Sequence, residues 1–134
     1  MTWDEFDARI AELAAKVDWP VDVIVGVVRG GVVPARCLAG KLAVRGMYCL
    51  NVAKAGGERQ VTTSISTDLT GKNALLVEDV LESGASLIAA ADYLRREKQA
   101  LVKTAALYYL KDTLIIPDYS LGAVSEVPAF PWEE

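Results

Sequence analysis

The sequence predicts an α/β fold built on parallel strands, and three features support that prediction. Residues 22–28 form a continuous, β-branched apolar run, which suits a strand buried on both faces of a parallel sheet. A second apolar run, residues 74–77, precedes a group of carboxylates. Each run leads into a short loop of small residues and then into a predicted helix. Repeated strand–loop–helix units of this kind build α/β sheets.

Length and composition set the limits of the interpretation. A chain of 134 residues suits one domain, residues 1–134, large enough to bury a core. The net charge of −4 argues against a general nucleic-acid-binding surface. No apolar run approaches the ~20 residues that a membrane span needs, and the acidic N-terminus lacks the shape of a signal peptide. We therefore expect a cytoplasmic protein without nucleic-acid or membrane partners.

The residue types that are present restrict the possible chemistry. The chain contains no histidine, which excludes a histidine base, a Ser-His-Asp triad and histidine-bound metals. Acid–base work would fall to carboxylates, lysine or tyrosine. Cys37 and Cys49 have no metal-binding spacing, so we expect both to be reduced thiols in the core.

The chain opens with a predicted helix that has a packing role. Thr2 and Glu5 have the spacing of a capping box, and Phe6, Ile10 and Leu13 begin an apolar stripe. Pro20 ends this region. The strand over residues 22–28 follows.

An arginine loop, residues 29–31, comes directly after this first strand. Its two glycines allow close backbone approach, and Arg29 supplies a fixed positive charge for an anion. A helix is predicted from Val33 to about Val44. The alternative interpretation is a turn that carries a solvated arginine.

The middle of the chain is less specific. Residues 47–53 read as a strand, and residues 61–66 as a second strand returning from the glycine-rich segment between them. That segment is either a plain surface hairpin or a mobile lid that carries Lys54 and Arg59. The sequence leaves both possibilities open.

The most informative stretch is residues 74–86. Its apolar run ends in the adjacent carboxylates Glu78 and Asp79, and a serine loop, residues 82–86, leads into a helix that ends near Lys98. Open α/β sheets bind ligands at the carboxyl ends of their strands, and a small-residue loop at a helix start favours a phosphate. Carboxylates beside such a loop suggest a phosphorylated sugar. An ordinary strand–loop–helix with an acidic cap is the alternative.

One further strand, residues 101–109, completes the predicted sheet. Lys111 lies just beyond its end, on the side where the two loops lie. A solvated lysine at a strand end is the alternative to a functional role.

Together these motifs resemble those of the type I phosphoribosyltransferases, most closely the xanthine–guanine and hypoxanthine branch. The specific matches are residues 74–86 and residues 28–36. Weaker matches are the opening residues 2–6, Lys111 and the tail, residues 127–134. The resemblance implies the type I phosphoribosyltransferase fold, a doubly wound, mainly parallel sheet flanked by helices on both faces. It also implies a cis peptide bond at Val28–Arg29.

The resemblance implies a binding site for phosphoribosyl diphosphate (PRPP) in which Glu78 and Asp79 bind the ribose hydroxyls. The serine loop would bind the 5′-phosphate, and the arginine loop the pyrophosphate. The implied PRPP-binding residues are Arg29, Gly30, Gly31, Glu78, Asp79, Glu82, Ser83, Gly84, Ala85 and Ser86.

Two of these residues would be catalytic. Arg29 would stabilise the leaving pyrophosphate, and Glu82 would accept the proton of the base nitrogen. We expect Glu82 to be desolvated beside Glu78 and Asp79, because desolvation favours proton acceptance near neutral pH. Mg²⁺ is the implied cofactor, held mostly by PRPP oxygens and water, with Asp79 as the protein ligand.

The nucleobase would contact Lys111, Val127 and Pro128. At the positions of Val127 and Pro128 the family usually has an aromatic residue and an aliphatic one, which enclose the base. The implied function is the transfer of the phosphoribosyl group to a nucleobase, a 6-oxopurine, in nucleotide salvage. Two alternatives remain: a phosphoribosyltransferase for a non-purine acceptor, and a non-catalytic regulator of the same fold that binds PRPP or a nucleotide. A homo-oligomer, a dimer or a tetramer, is expected.

Overall fold

A computed structural model describes residues 1–133 and contains a six-stranded sheet with three helices. The elements are α1 (Trp3–Lys16), β1 (Val23–Val28), α2 (Val32–Lys41), β2 (Gly46–Ala55), β3 (Glu58–Val61), β4 (Asn73–Leu81), α3 (Ala85–Arg96), β5 (Leu101–Leu110) and β6 (Ala123–Val124). The strand order is β3-β2-β1-β4-β5-β6, and β3 alone pairs antiparallel to its neighbour. The mainly parallel sheet confirms the predicted fold class.

The helices lie on both faces of the sheet because β1 and β4 are apolar on both sides. On β1, Ile24 packs with α1 and α2, whereas Val25 packs with α3, and both side chains are fully buried. On β4, Leu75 and Leu76 divide in the same way. Each such burial contributes about 1.5–3 kcal/mol, so the central strands anchor both helical layers.

Helix α1 begins as its sequence predicts. The Glu5 amide donates to Thr2 Oγ1 at 3.1 Å, and the Thr2 amide donates to Glu5 Oε1 at 3.0 Å. Its buried face consists of Phe6, Ile10 and Leu13. The capping box and the apolar stripe are both confirmed.

Two predicted boundaries are wrong for reasons of backbone geometry. Helix α2 ends at Lys41 rather than near Val44, since Ala43 adopts a left-handed conformation with φ 55°. The strand that returns to β2 is Glu58–Val61 rather than residues 61–66. Gly56 and Gly57, with φ of 60° and 85°, turn the chain within two residues, so pairing starts earlier than predicted.

The cysteines also differ from expectation. Cys37 is half-buried, and Cys49 is exposed on β2. Cys49 lies in the half of β2 that precedes its pairing with β3, which begins at Val52. Neither thiol is therefore a fully buried core residue, although both are free.

An aromatic cluster of Trp3, Phe6, Phe130 and Trp132 joins α1 to the C-terminal segment. Trp132 stacks on Phe130 with ring centroids 4.8 Å apart and meets Phe6 edge-on at 4.9 Å. The tail, residues 127–133, is thereby held next to the carboxyl ends of the strands. Within residues 1–133, none of the helices combines the length and apolar character required to cross a membrane.

Candidate active site

The candidate site lies where β1 and β4 end. These strands are parallel neighbours, paired from Val23 with Ala74 to Gly26 with Val77. The loops that follow them therefore emerge side by side. Because α2 leaves to one face of the sheet and α3 to the other, a cleft opens between the loops.

The arginine loop fits against β4 only because of its glycines. A Cβ on Gly30 would collide with the Asp79 carboxylate, and a Cβ on Gly31 would collide with the backbone carbonyl oxygens of Val77 and Val27. The loop can therefore reach the end of β4, and Arg29 lines the same cavity as the acids of β4. The Val28–Arg29 peptide bond is cis, as the resemblance implied.

The two carboxylates at the end of β4 lie in different surroundings. Asp79 is buried, and its Oδ1 accepts a hydrogen bond from the Val80 amide at 2.7 Å. Burial raises the pKa of Asp79, and the nearby Glu133 charge adds to the rise, although the Val80 hydrogen bond opposes it. Burial, reinforced by the charge of Asp79, raises the pKa of Glu78 to about 8, against the opposing charge of Arg59.

The serine loop turns sharply into α3 at Gly84. This residue has φ 83°, and the helix begins at Ala85. Ser83 Oγ accepts a hydrogen bond from the Ala85 amide at 3.2 Å. Small residues through this turn leave the start of α3 open to a ligand, and the helix dipole favours an anion there.

A cavity of about 610 Å³ brings the predicted residues together. It is lined by Arg29, Gly30, Glu78, Asp79, Val80, residues 82–86, Arg59, Val127 and Glu133. Of the PRPP-binding residues that the sequence predicts, only Gly31 lies outside this lining, and it packs against the backbone of Val77 and Val27. The ligand that these residues bind stays a prediction.

Three predicted site residues either lie outside the cavity lining or are exposed to solvent. Lys111 is exposed, and neither Lys111 nor Pro128 lines the cavity. Glu82 lines the cavity but is exposed, so the expected desolvation is wrong, since the burial falls on Glu78 and Asp79 instead.

Two charged residues enter the cavity from distant parts of the chain. Arg59 comes from β3, so the hairpin brings this arginine to the cavity, whereas Lys54 lines a neighbouring cavity. A lid function of the hairpin stays a prediction. Glu133 comes from the tail and was not foreseen. Its only sequence signal was its position in the Pro-Trp-Glu ending.

The protein by itself offers few metal ligands here. Within the part of the chain that the structure describes, no group of three or more acidic, cysteine or histidine residues could hold a metal ion. Asp79 and Glu133 are two carboxylates on the same cavity. Carboxylate oxygens are suitable ligands for a hard cation that a ligand carries into the site and that keeps part of its water shell.

The fold and the cavity define the class of protein: an open α/β sheet with a charged ligand cleft at the carboxyl ends of its central strands. Residues 2–133 of this chain match the sequence model of a protein family that is described as the phosphoribosyl transferase domain. The chain belongs to this phosphoribosyltransferase family.

One solved structure supports the same family, and others share the fold. A purine phosphoribosyltransferase from Pyrococcus horikoshii is 32% identical, with a TM-score of 0.91, over 100% of this chain and 92% of that one. A xanthine-guanine-hypoxanthine phosphoribosyltransferase from Helicobacter pylori, 22% identical, shares the fold with a TM-score of 0.83 over 98% and 90% of the two chains. A hypothetical protein from Neisseria gonorrhoeae with bound ppGpp is 25% identical, with a TM-score of 0.78 over 92% and 81%.

Proposed function

We propose that this chain transfers the 5-phosphoribosyl group of PRPP to a ring nitrogen of a nucleobase, a 6-oxopurine, in nucleotide salvage. The observation that carries the proposal is the single cavity on which Arg29, the Glu78–Asp79 pair and the serine loop converge. PRPP has a pyrophosphate, two ribose hydroxyls and a 5′-phosphate in the corresponding order. The purine phosphoribosyltransferase among the similar structures supports the choice of acceptor.

The binding roles follow from the chemistry of each part of the cavity. The amides of the serine loop and the hydroxyls of Ser83 and Ser86 would donate to the 5′-phosphate. Glu78 and Asp79 would accept hydrogen bonds from the ribose hydroxyls. Arg29 and the amides of Gly30 and Gly31 would bind the pyrophosphate, where the absence of Cβ atoms allows close approach.

In the reaction the bond between the anomeric carbon and the pyrophosphate oxygen breaks, and its electron pair leaves with pyrophosphate. The base nitrogen supplies the pair for the new bond, and its proton passes to Glu82. Arg29 stabilises the charge that develops on the leaving group, the kind of interaction that is worth about 10²–10³ in turnover. Val127, which lines the cavity, would contact the base, and Lys111 and Pro128 are proposed as further base contacts from outside that lining.

Mg²⁺ would accompany PRPP and neutralise part of the charge of its pyrophosphate. Asp79 is the proposed protein ligand, and Glu133 is a second carboxylate of the same cavity. Most of the remaining ligands would be PRPP oxygens and water.

The proposal is tested by offering PRPP and Mg²⁺ with hypoxanthine, guanine, xanthine, adenine, uracil and orotate, and by measuring pyrophosphate release. We expect the 6-oxopurines to be used and the pyrimidines to be poor acceptors. Arg29→Ala should lower turnover by about 10²-fold or more. A matched control is Arg96→Ala, at the distant end of α3. Equal rates for the Arg29 variant and the parent would remove Arg29 from the reaction.

Two other outcomes would favour the alternative functions. Turnover with a pyrimidine alone would indicate a non-purine acceptor. Such an acceptor would be consistent with Val127, which stands where the family usually has an aromatic residue. Binding of PRPP or ppGpp without turnover of any base would favour a regulatory protein. The similarity to the Neisseria gonorrhoeae protein with bound ppGpp is the observation that supports this second alternative.

A further inference from the structure

A segment from outside the two strand–loop–helix units supports the serine loop. This strand-end loop, residues 111–116, follows β5 and reaches across to the end of β4. The Leu114 amide donates to the Ser83 carbonyl oxygen at 2.8 Å. The backbone of the serine loop is therefore tied to a neighbouring strand as well as to its own.

Side chains of the strand-end loop also fill the space beside Gly84. A Cβ built on Gly84 would lie 2.8 Å from Thr113 Oγ1 and 2.8 Å from Ile115 Cγ2. Gly84 is buried and has φ 83°, so its conformation and its surroundings both require glycine. The strand-end loop thus packs against the turn at which α3 begins.

Hydrogen bonds of Thr113 hold the strand-end loop in this conformation. Its amide donates to the Leu110 carbonyl oxygen at 3.1 Å, and its hydroxyl donates to the Ile115 carbonyl oxygen at 3.0 Å. The same hydroxyl oxygen lies 2.8 Å from the position that a Cβ on Gly84 would occupy. Ile115, whose carbonyl oxygen accepts from this hydroxyl, packs against the hydrophobic core on the α3 side of the sheet. The hydroxyl therefore shapes the strand-end loop at the point where that loop packs both on the core and beside Gly84.

We propose that Thr113 is a positioning residue, which holds the serine loop in the conformation that receives a phosphate group. This inference rests on the proposed function, because the phosphate is that of PRPP. A loop whose amides are already aligned binds an anion without losing conformational freedom at that moment, and this raises affinity. Thr113 itself touches no ligand and acts through Ser83 and Gly84.

The test compares Thr113→Val, which replaces the hydroxyl by a methyl group, with Thr113→Ser, which keeps the hydroxyl. Losing one intramolecular hydrogen bond corresponds to about a five- to tenfold change in an equilibrium. We expect Thr113→Val to speed amide hydrogen exchange at residues 83–86 of the unliganded protein by that factor. We also expect the KM for PRPP to rise about five- to tenfold while kcat at saturating PRPP stays within about twofold.

Thr113→Ser should restore both quantities, which a purely space-filling role would not predict. Thr67→Val, at an exposed position outside both loops, serves as the matched control and should leave both unchanged. Unchanged exchange at residues 83–86 in Thr113→Val would overturn the inference, as would faster exchange spread equally over the whole sheet. The exchange measurement needs no ligand, so a parent protein that fails to bind PRPP would sink the proposed function separately.

Discussion

At the scale of single residues, the site is defined by carboxylates in unequal surroundings. Asp79 is buried against the arginine loop, Glu78 is half-buried, and Glu82 stands exposed at the start of the serine loop. A buried acid favours its neutral form, and this applies to Glu78 and Asp79. The three acids of one short stretch therefore have different chemistry available to them.

Glu82 is the proposed proton acceptor, and Glu82→Gln tests this with little change in size. We expect kcat to fall by about 10²–10⁴, the range for general-base catalysis. PRPP affinity, measured by calorimetry, should stay nearly unchanged, because other residues hold the sugar and its phosphates. Glu82→Asp should keep a substantial part of the activity. Turnover of Glu82→Gln at the parental rate on the best acceptor would assign the proton to another group.

Glu78 should make the protein less stable as the pH rises. Its pKa is about 8 in the folded chain and 4.5 as an ordinary carboxyl group, so between these values the folded state holds more protons than the unfolded state. The free energy of unfolding therefore falls as pH rises through this window. Glu78→Gln removes the effect.

Urea unfolding at about pH 5 and about pH 9 measures this contribution. Relative to Glu78→Gln, the parent should lose at least about 1.4 kcal/mol over that range, the equivalent of one pKa unit. Glu126→Gln, at an exposed loop position, should follow the parent. Parallel pH profiles for the parent and Glu78→Gln would show that Glu78 ionises normally.

At the scale of elements, the site depends on how closely the loops approach one another. The arginine loop reaches β4 because Gly30 and Gly31 lack side chains, and the serine loop turns into α3 because Gly84 accepts a positive φ. Glycine is needed at Gly30 and Gly31 because of close contacts, and at Gly84 because of both its contacts and its positive φ.

Gly30→Ala should disturb the site and the fold together. Its new Cβ would overlap the Asp79 carboxylate, which is buried and cannot swing away freely. Overpacking of this kind costs about 1–3 kcal/mol of unfolding free energy, and PRPP affinity should fall with it. Denaturant unfolding and calorimetry measure the two effects.

Gly40→Ala is the matched control for this substitution. Gly40 lies on the exposed face of α2, and a Cβ there would meet only the end of the Arg36 side chain at 3.4 Å. Since alanine favours helix more than glycine, this variant should gain about 0.5–1 kcal/mol. Equal stability of the two variants would mean that Gly30 tolerates a side chain.

The sequence alone was sufficient to predict the features that depend on short-range patterns of residues. The capping box of α1, the two strand–loop–helix units and the acids of β4 follow from spacing within about fifteen residues. The position of Glu133 at the cavity, and the packing of Thr113 against Gly84, depend on contacts between distant segments, which a pattern within one segment does not contain. The hairpin boundary was missed because two glycines with positive φ shorten the turn.

At the scale of the whole molecule, the aromatic cluster connects the first helix with the last segment. Trp132 contacts Phe6, Phe130 and Trp3, and the next residue, Glu133, lines the cavity. The side of the cavity that Glu133 lines is thereby supported from the opposite end of the chain.

Trp132→Ala should weaken both the fold and the site. Losing the stacked and edge-on rings should cost about 2–4 kcal/mol of unfolding free energy. Under the proposed function, the KM for the nucleobase should rise more than the KM for PRPP, because Val127 belongs to the tail whereas the arginine and serine loops follow β1 and β4. Trp3→Ala is a suitable comparison, since Trp3 is 55% exposed, and it should cost less. A larger loss for Trp3→Ala would place the support elsewhere.

The pairing of β1 with β4 sets the spacing between the two loops of the cleft. The arginine loop and the serine loop follow neighbouring central strands that lie about 4.8 Å apart. A molecule contacts both loops at once only if its anionic groups match this spacing. Under the proposed reaction PRPP would do so, whereas pyrophosphate and the nucleotide product would each contact one of the two loops. Breaking one bond of the substrate would therefore weaken the binding of both halves and help the products to leave.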